Sequence, residues 1–308
     1  MKILVTGGAG FIGSHVVDAF IELEHEVVVI DNLSTGREEN INPRAKFIKM
    51  NIEDPKLLEV FEIEKFDVVD HHAAQMDIRL SVADPVFDAT NNILGTINLL
   101  QASVKTNVKK FIFISSGGAI YGEQDYFPAD ENHPTRPLSP YGITKLTGEK
   151  YLYFYANTYN LNFISLRYAN IYGPRQNPKG EAGVVAIFAS KFLAGDQPII
   201  NGDGKQTRDY VYVSDVVAAN VKALDHENND YVNIGTGKET DVNVLFHRIN
   251  IICGGNGEEM HGPAKPGEQL RSVLNNKKAK ELFNWEPQVS IEQGLAQTVE
   301  YFKQYNQK

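Results

Sequence analysis

Short apolar runs alternate with longer amphipathic stretches through the first half of the chain, and most of the runs stop at glycine or at a polar residue. This pattern predicts strands over 2–6, 26–31, 46–50, 67–71, 110–116 and 162–168, with helices between them, including long ones near 86–105 and 140–159. Strands and helices in strict alternation predict a parallel sheet wrapped on both faces by helices, a doubly wound α/β fold. After Tyr172 the pattern breaks. Residues 173–183 are rich in Gly and Pro, and the segments that follow are shorter. Residues 1–172 are therefore expected to form the first domain and 173–308 mainly a smaller α/β lobe, with segments near 209–236 packing back on the first.

The first strand runs into Thr6-Gly-Gly-Ala-Gly-Phe-Ile-Gly13, where glycines are spaced G-x-x-G-x-x-G. Gly7 can make the tight turn, Gly10 leaves the backbone bare for a pyrophosphate, and Gly13 lets the next helix lie close on the strand. Phe11 and Ile12 open that helix. The second strand ends in Asp31, about 20 residues on, where a carboxylate accepts hydrogen bonds from an adenosine ribose. Strand, glycines, helix and acid together indicate a Rossmann-type dinucleotide site. A P-loop is excluded, because Ser14 and His15 follow Gly13 where Lys-Ser/Thr is needed. Asp31 repels a 2′-phosphate and Arg37 is the nearest following cation, so NAD is expected over NADP.

Composition narrows the classes. The 308 residues are 42% hydrophobic and 22% charged, with a net charge of −9 and one cysteine, Cys253. No 18-residue apolar run or signal-like start argues for membrane or secretion, so a cytoplasmic protein is expected. The negative balance gives no positive field for nucleic acid. No metal site is expected: the adjacent pair His71-His72 lacks the spacing of a helical metal site.

Tyr141 and Lys145 form a second chemical pair. Ser139 can cap a helix and Pro140 can occupy its first turn, placing Tyr141 and Lys145 four apart on one face. Bringing a tyrosine from a pKa of about 10 to neutrality takes roughly 4 kcal/mol of preferential phenolate stabilisation, which a nearby ammonium and a cationic nicotinamide can supply. The strand over 110–116 should deliver its C-terminal end, Ser115-Ser116, to the same sheet edge.

These motifs, with Asp31-Asn-Leu-Ser-Thr-Gly36, His71-His-Ala-Ala74, Asn92-Ile-Leu-Gly-Thr96, Ser115-Ser-Gly-Gly-Ala-Ile-Tyr-Gly122, Leu166-Arg-Tyr-Ala-Asn170, Gln206 to Asp215, Lys265-Pro-Gly-Glu268 and Trp285-Glu-Pro-Gln, resemble the extended short-chain dehydrogenase/reductase family. The resemblance is closest to its UDP-glucose 4-epimerase branch and spans almost the whole chain. It implies tightly held NAD, a UDP-sugar whose C4 hydroxyl is inverted through a keto sugar, a role in galactose metabolism, and a homodimer joined by a helix bundle. It implies that Tyr141 is the base and that Lys145 holds the ribose. It places Asp31, Asn32, Ser34, Gly36, Asn51 and Ile52 on the adenosine half of the cofactor, and Ala73, Asn92, Lys145 and Tyr168 on the nicotinamide half. Asn170, Val184, Val185, Gly202, Arg208, Lys265 and Glu268 are implied nucleotide contacts, with lysine at 265 where arginine is usual.

Two departures matter. The family's Ser or Thr, four residues before the Tyr of the Tyr-Gly pair, falls here on Gly117; Ser116, one residue earlier, is expected to supply the hydroxyl, a bulge turning it inward. Ser272 falls where epimerases restricted to glucose and galactose carry tyrosine, which predicts room for an N-acetyl group at C2. A dehydratase, a decarboxylase and a nonenzymatic dinucleotide sensor are the alternatives. Gly117-Gly118 in place of an Asp-Glu pair argues against the dehydratase, and intact Tyr141 and Lys145 against the sensor.

Overall fold

The structure, a computed structural model, describes residues 1–178, 183–264 and 269–305. Seven strands form one parallel sheet in the spatial order Asp230–Ile234, Asn162–Tyr168, Lys110–Ser116, Val68–His71, Lys2–Thr6, Glu26–Asp31, Lys46–Lys49. The chain winds outward from Lys2–Thr6 in one direction and then crosses back to continue from Val68–His71 in the other. That reversal opens a crevice above the C-terminal ends of these two strands, the position at which doubly wound sheets bind ligands.

Side-chain alternation explains the layers. Ile3, Val5, Val29, Ile112, Ile164 and Leu166 face helices Phe11–Glu22 and Val213–Leu224. Leu4, Val28, Ile30, Val69, Phe111 and Phe113 point the other way, into the core beneath Leu57–Glu64, Gly95–Lys105 and Pro140–Tyr159. Both faces are apolar because both are covered.

The helix expected near 86–105 is not uniform. It starts at Pro85–Ala89, with Asp84 accepting from the Phe87 amide at 2.9 Å, widens into a π turn at Thr90–Leu94 and resumes as Gly95–Lys105. A π turn inserts an extra residue into the helical repeat, and Asn92 lies buried within it. The helix over 140–159 starts as its sequence requires. The Ser139 hydroxyl accepts from the Gly142 amide at 3.2 Å, and Pro140 takes the first position.

Beyond Tyr172, Val184–Ala194, Val242–Cys253 and Ile291–Tyr305 share an apolar core through Val185, Phe188, Leu245, Phe246, Leu295 and Phe302. A small sheet sets Thr207–Arg208 between Thr240–Asp241 and Arg271–Ser272. The strand Asp230–Ile234 instead returns to the edge of the large sheet, and Tyr210–Tyr212 pairs with Asn170–Tyr172. The second lobe is thereby tied to the C-terminal end of the Asn162–Tyr168 strand. Among the described residues, no helix is long and apolar enough to cross a membrane.

Candidate active site

The glycine loop is wrapped too tightly for side chains. A Cβ on Gly7, whose φ is +71°, would lie 2.6 Å from the Ala73 amide nitrogen, and one on Gly13 would lie 2.4 Å from the Gly7 carbonyl oxygen. Helix Phe11–Glu22 starts after Gly10 without a side-chain cap. Its first amides are therefore suited to an anion. Phe11 is buried and Ile12 packs partly buried behind the loop.

Asp31 organises the rim of this loop. Its two carboxylate oxygens accept from the amides of Ala9 at 3.0 Å and Leu33 at 2.8 Å, and burial raises its pKa. Each oxygen keeps acceptor capacity for a ribose hydroxyl. Asn32 turns the next segment by accepting from the Ser34 amide at 2.9 Å, and Gly36 lies against Ala9 and Asp31 where a Cβ would be at 3.0 Å. Asn51 is exposed, while Ile52 is buried against Gly95 and accepts from Asn98 through its carbonyl at 2.8 Å. Arg37 is engaged elsewhere: it donates to the Tyr305 hydroxyl at 2.6 Å, and that hydroxyl donates to Glu39 at 2.9 Å.

On the other side of the crevice, Lys145 is buried and donates to the Ile114 carbonyl at 2.8 Å, with its ammonium 5.1 Å from the centre of the Phe113 ring. Two of its three N–H bonds remain for a ligand. Burial lowers its pKa to about 8, against the supporting charge of Asp88. Tyr141 sits one turn away, its ring centre 5.9 Å from the Lys145 ammonium. Desolvation pushes its pKa up to about 12; a hydrogen bond from Ser116 favours the phenolate and the charge of Asp88 opposes it. Ser116 reaches Tyr141 from a strand that stays in register with Tyr168, so the expected bulge does not form. The strand end itself carries the hydroxyl inward. A Cβ at Gly117 would lie 2.6 Å from Leu274 Cδ1, so a side chain there would need the leucine to shift.

The catalytic helix is pinned from beneath. Glu149, one turn after Lys145, receives paired hydrogen bonds from Arg167 at 2.9 and 2.7 Å, and Arg167 donates to Tyr121 at 2.9 Å. Breaking one partner of so buried a pair typically costs 3–5 kcal/mol. Asn92 and Tyr168 are also held by hydrogen bonds. Asn92 accepts from the Gln75 amide and donates to the Gln75 carbonyl, both at 2.8 Å, while the Tyr168 hydroxyl is bonded to Asn220. Both side chains are thereby fixed in place. Ala73 lies against the glycine loop at Gly7, and its amide donates to the Thr6 hydroxyl at 3.3 Å.

The second lobe contributes from above. Ser272 is buried and pairs in register with Arg208, whose guanidinium donates to the Thr207 carbonyl at 2.8 Å. Asn170, Ser116 and Ser272 converge on Gly118: a Cβ there would lie 3.6 Å from the Asn170 amide oxygen and 4.0 Å from each serine hydroxyl. Val184 and the buried Val185 start helix Val184–Ala194. Gly202, at φ +68°, uses its amide to donate to the Gly262 carbonyl at 3.0 Å. Lys265 and Glu268 lie outside the described residues. The motifs do not single out Asp209, which is fully buried and accepts from the amides of Thr236, Gly237 and Leu274 and from the Thr236 hydroxyl. It ties the Arg208 strand to the Leu274 segment, and its position beside Arg208 is the only signal in the sequence. Among the described residues, no group of His, Cys, Asp and Glu could hold a metal ion.

A glycine cradle, an acid at the end of the second strand and a Tyr-Lys pair on one sheet edge define a dinucleotide-dependent enzyme of the short-chain dehydrogenase type. The family model for the NAD dependent epimerase/dehydratase family matches residues 3–235, and the chain belongs to that family. It is 50% identical over 304 residues to a putative UDP-glucose 4-epimerase of Methanocaldococcus jannaschii, covering 99% of each chain. It superposes with a TM-score of 0.98 and 51% identity on the crystal structure of Thermotoga maritima UDP-glucose 4-epimerase with UDP-glucose, covering 99% of this chain and 100% of that one. A UDP-N-acetylglucosamine 4-epimerase from Methanobrevibacter ruminantium, in complex with UDP-N-acetylmuramic acid, is similar at 34% identity and a TM-score of 0.93, covering 100% and 99% of the two chains.

Proposed function

We propose that this chain is a UDP-glucose 4-epimerase-like isomerase that inverts the C4 hydroxyl of a UDP-hexose through a transient 4-keto sugar. The observation that carries this reading is the convergence of Tyr141, Ser116 and Lys145 at the sheet edge with Ser272 reaching in from the second lobe. The bare glycine loop, Asp31 and the two free N–H bonds of Lys145 fit NAD, with Gly7, Gly10 and Gly13 around the pyrophosphate and Lys145 on the nicotinamide ribose. Held there, NAD would supply a reversible hydride acceptor for C4, so that the overall inversion would carry no net redox change.

The chain's own groups handle the proton. Tyr141 accepts the proton of the C4 hydroxyl and later gives it back, while Ser116 holds that oxygen and Lys145 favours the phenolate by its charge. Asn170, Val184, Val185, Gly202 and Arg208 are the proposed nucleotide contacts, with Arg208 supplying paired charge-assisted bonds to the diphosphate. Inversion requires the keto sugar to rotate, and the small residues Gly118 and Ser272 give it room.

Helices Ile78–Ala83, Pro85–Ala89 and Pro140–Tyr159 expose Leu80, Val82, Val86, Phe87, Tyr153 and Phe154 on one side of the first domain. We assign this face to a homodimer, since so many exposed large apolar side chains on adjacent helices mark an association surface. Sedimentation should give a mass of two chains.

The test is direct. Incubating the protein with UDP-galactose should produce a mixture of UDP-galactose and UDP-glucose by NMR, and denaturation should release NAD. Absence of the second sugar overturns the reading, and carbon dioxide or dehydrated product would replace it with a decarboxylase or dehydratase.

A further inference from the structure

Asp88 is completely buried, sits one helical turn before Asn92, and belongs to none of the motifs above. A buried carboxylate is costly unless it is ionically paired or richly hydrogen-bonded. Its hydrogen-bond donors are all neutral: Thr144 at 3.0 Å on one oxygen, and Gln75 at 2.9 Å and Asn92 at 3.1 Å on the other. Thr144 is the residue immediately before Lys145. The carboxylate therefore lies against the Tyr-x-x-x-Lys turn, and the cation that acts on it is Lys145.

The surroundings of Lys145 make the relation reciprocal. Its ammonium faces the Ile114 carbonyl, the Phe113 ring and the Tyr141 ring. The nearby imidazole of His71 is neutral, buried between Thr6 at 2.8 Å and Thr96 at 2.9 Å and held far below its usual pKa. The tautomer follows from the network. The Thr96 hydroxyl donates to the Asn92 carbonyl at 2.7 Å, so it must accept from His71 Nε2. That leaves Asp88 as the anion that supports the lysine charge.

We propose that Asp88 is a positioning residue of the catalytic array, its carboxylate serving as the counter-charge that keeps Lys145 in the ammonium form needed to hold ribose and favour the Tyr141 phenolate. Its anchoring by Gln75, Asn92 and Thr144 fixes the charge at the junction of three segments: the loop after Val68–His71, the helix that contains the π turn, and the catalytic helix. The same charge disfavours the Tyr141 phenolate, so Asp88 sets the balance between the two groups rather than promoting both. The catalytic part of this inference rests on the epimerase reading; the charge pairing does not.

Two measurements test it. In protein labelled with 13C and 15N at lysine side chains, with the Lys145 signal assigned by its loss in Lys145→Met, the Asp88→Asn variant should titrate Lys145 about one pH unit below wild type. The alkaline limb of kcat for UDP-galactose should move down with it. Thr144→Val removes the hydroxyl bridge but keeps the carboxylate, and should leave the Lys145 midpoint within about 0.3 of wild type. A folded Asp88→Asn protein with an unmoved Lys145 midpoint overturns the proposal and leaves Asp88 a tie between helices. Should Asp88→Asn not fold, the 13C signal of the wild-type Asp88 carboxyl decides: ionised between pH 6 and 9 supports the pairing, protonated there overturns it. A wild type that does not turn over UDP-galactose defeats the epimerase reading alone, because the lysine titration requires no turnover.

Discussion

The hydroxyl oxygens of Ser116 and Ser272 lie equally far, 4.0 Å, from the point that a methyl group on Gly118 would occupy. One ends a strand of the large sheet and the other a strand of the small sheet, so the two lobes meet at this point. Ser272 therefore borders the space beside the Ser116 hydroxyl, where a larger side chain would narrow it. Ser272→Tyr should reduce kcat/KM for UDP-N-acetylglucosamine by about tenfold or more while changing that for UDP-glucose by about threefold or less. Comparing both sugars in both proteins checks this; no N-acetyl activity in wild type, or equal losses, would remove Ser272 from the control of sugar width.

Gly118→Ala probes the same space from below. All three of its nearest contacts would be at 3.6 Å or more, ordinary packing distances, and Gly118 has no positive φ. The fold should be unaffected, with a melting temperature within about 2 °C of wild type, because no core contact is disturbed. Turnover should fall by about tenfold as the methyl takes up sugar volume. Unchanged kinetics would show that the sugar lies elsewhere.

Tyr141→Phe removes the proton acceptor without disturbing the Lys145 bond to Ile114. Epimerisation should drop by about a hundredfold or more with NAD still bound. Ser116→Ala should lower kcat by about tenfold, through loss of the hydrogen bond that favours the phenolate. Normal rates in Tyr141→Phe would defeat the mechanism.

Lys145 gives the cofactor-free protein a distinct pH response. Its native pKa is about 8 against a reference of 10.5, so between those values the unfolded chain holds a proton that the native state has released. Stability should rise with pH across that window, by up to about 3 kcal/mol from this group. Urea midpoints at pH 7.5 and 10 should show the rise in wild type, and Lys145→Met should flatten it. An equal slope in both proteins would mean that the ammonium is not desolvated.

Asp209→Asn should be destabilising although the change is isosteric. Three backbone amides and a hydroxyl converge on the carboxylate, and an amide group would turn two more hydrogens toward donors that already face it. A loss of about 2–3 kcal/mol is expected from urea unfolding, as each unsatisfied buried donor costs about 1–3 kcal/mol. Burial places the Asp209 pKa at about 6, above the usual carboxylate range. The wild-type protein should therefore lose stability from this group as pH rises from about 4 through 6, and Asp209→Asn should not.

Much of the large sheet was legible because its strands are buried on both faces and read as unbroken apolar runs: Leu4 and Val5, or Ile112 and Phe113, are equally apolar on opposite sides. The cap at Ser139 was legible for a local reason, since the capping bond closes within four consecutive residues, 139–142. The π turn at Thr90–Leu94 was not, because its cause is tertiary: Asn92 is drawn to Gln75 and Asp88. Asp88 and Asp209 escaped notice for a related reason. A buried carboxylate is recognised by the donors that surround it, and those come from residues far away in the chain. At Ser116 the sequence suggests a bulge, whereas the strand stays in register with Tyr168 and the serine bonds Tyr141 from its regular end.

Leu274 bears on where that serine can stand. Its side chain fills the place where a side chain at Gly117 would begin, so the hydroxyl and the leucine compete for one volume. Moving the hydroxyl from 116 to 117 would require the Leu274 side chain to shift. The two positions are thus coupled: Gly117→Ser calls for Leu274 to repack, and a smaller side chain at 274 would make that serine easier to accommodate.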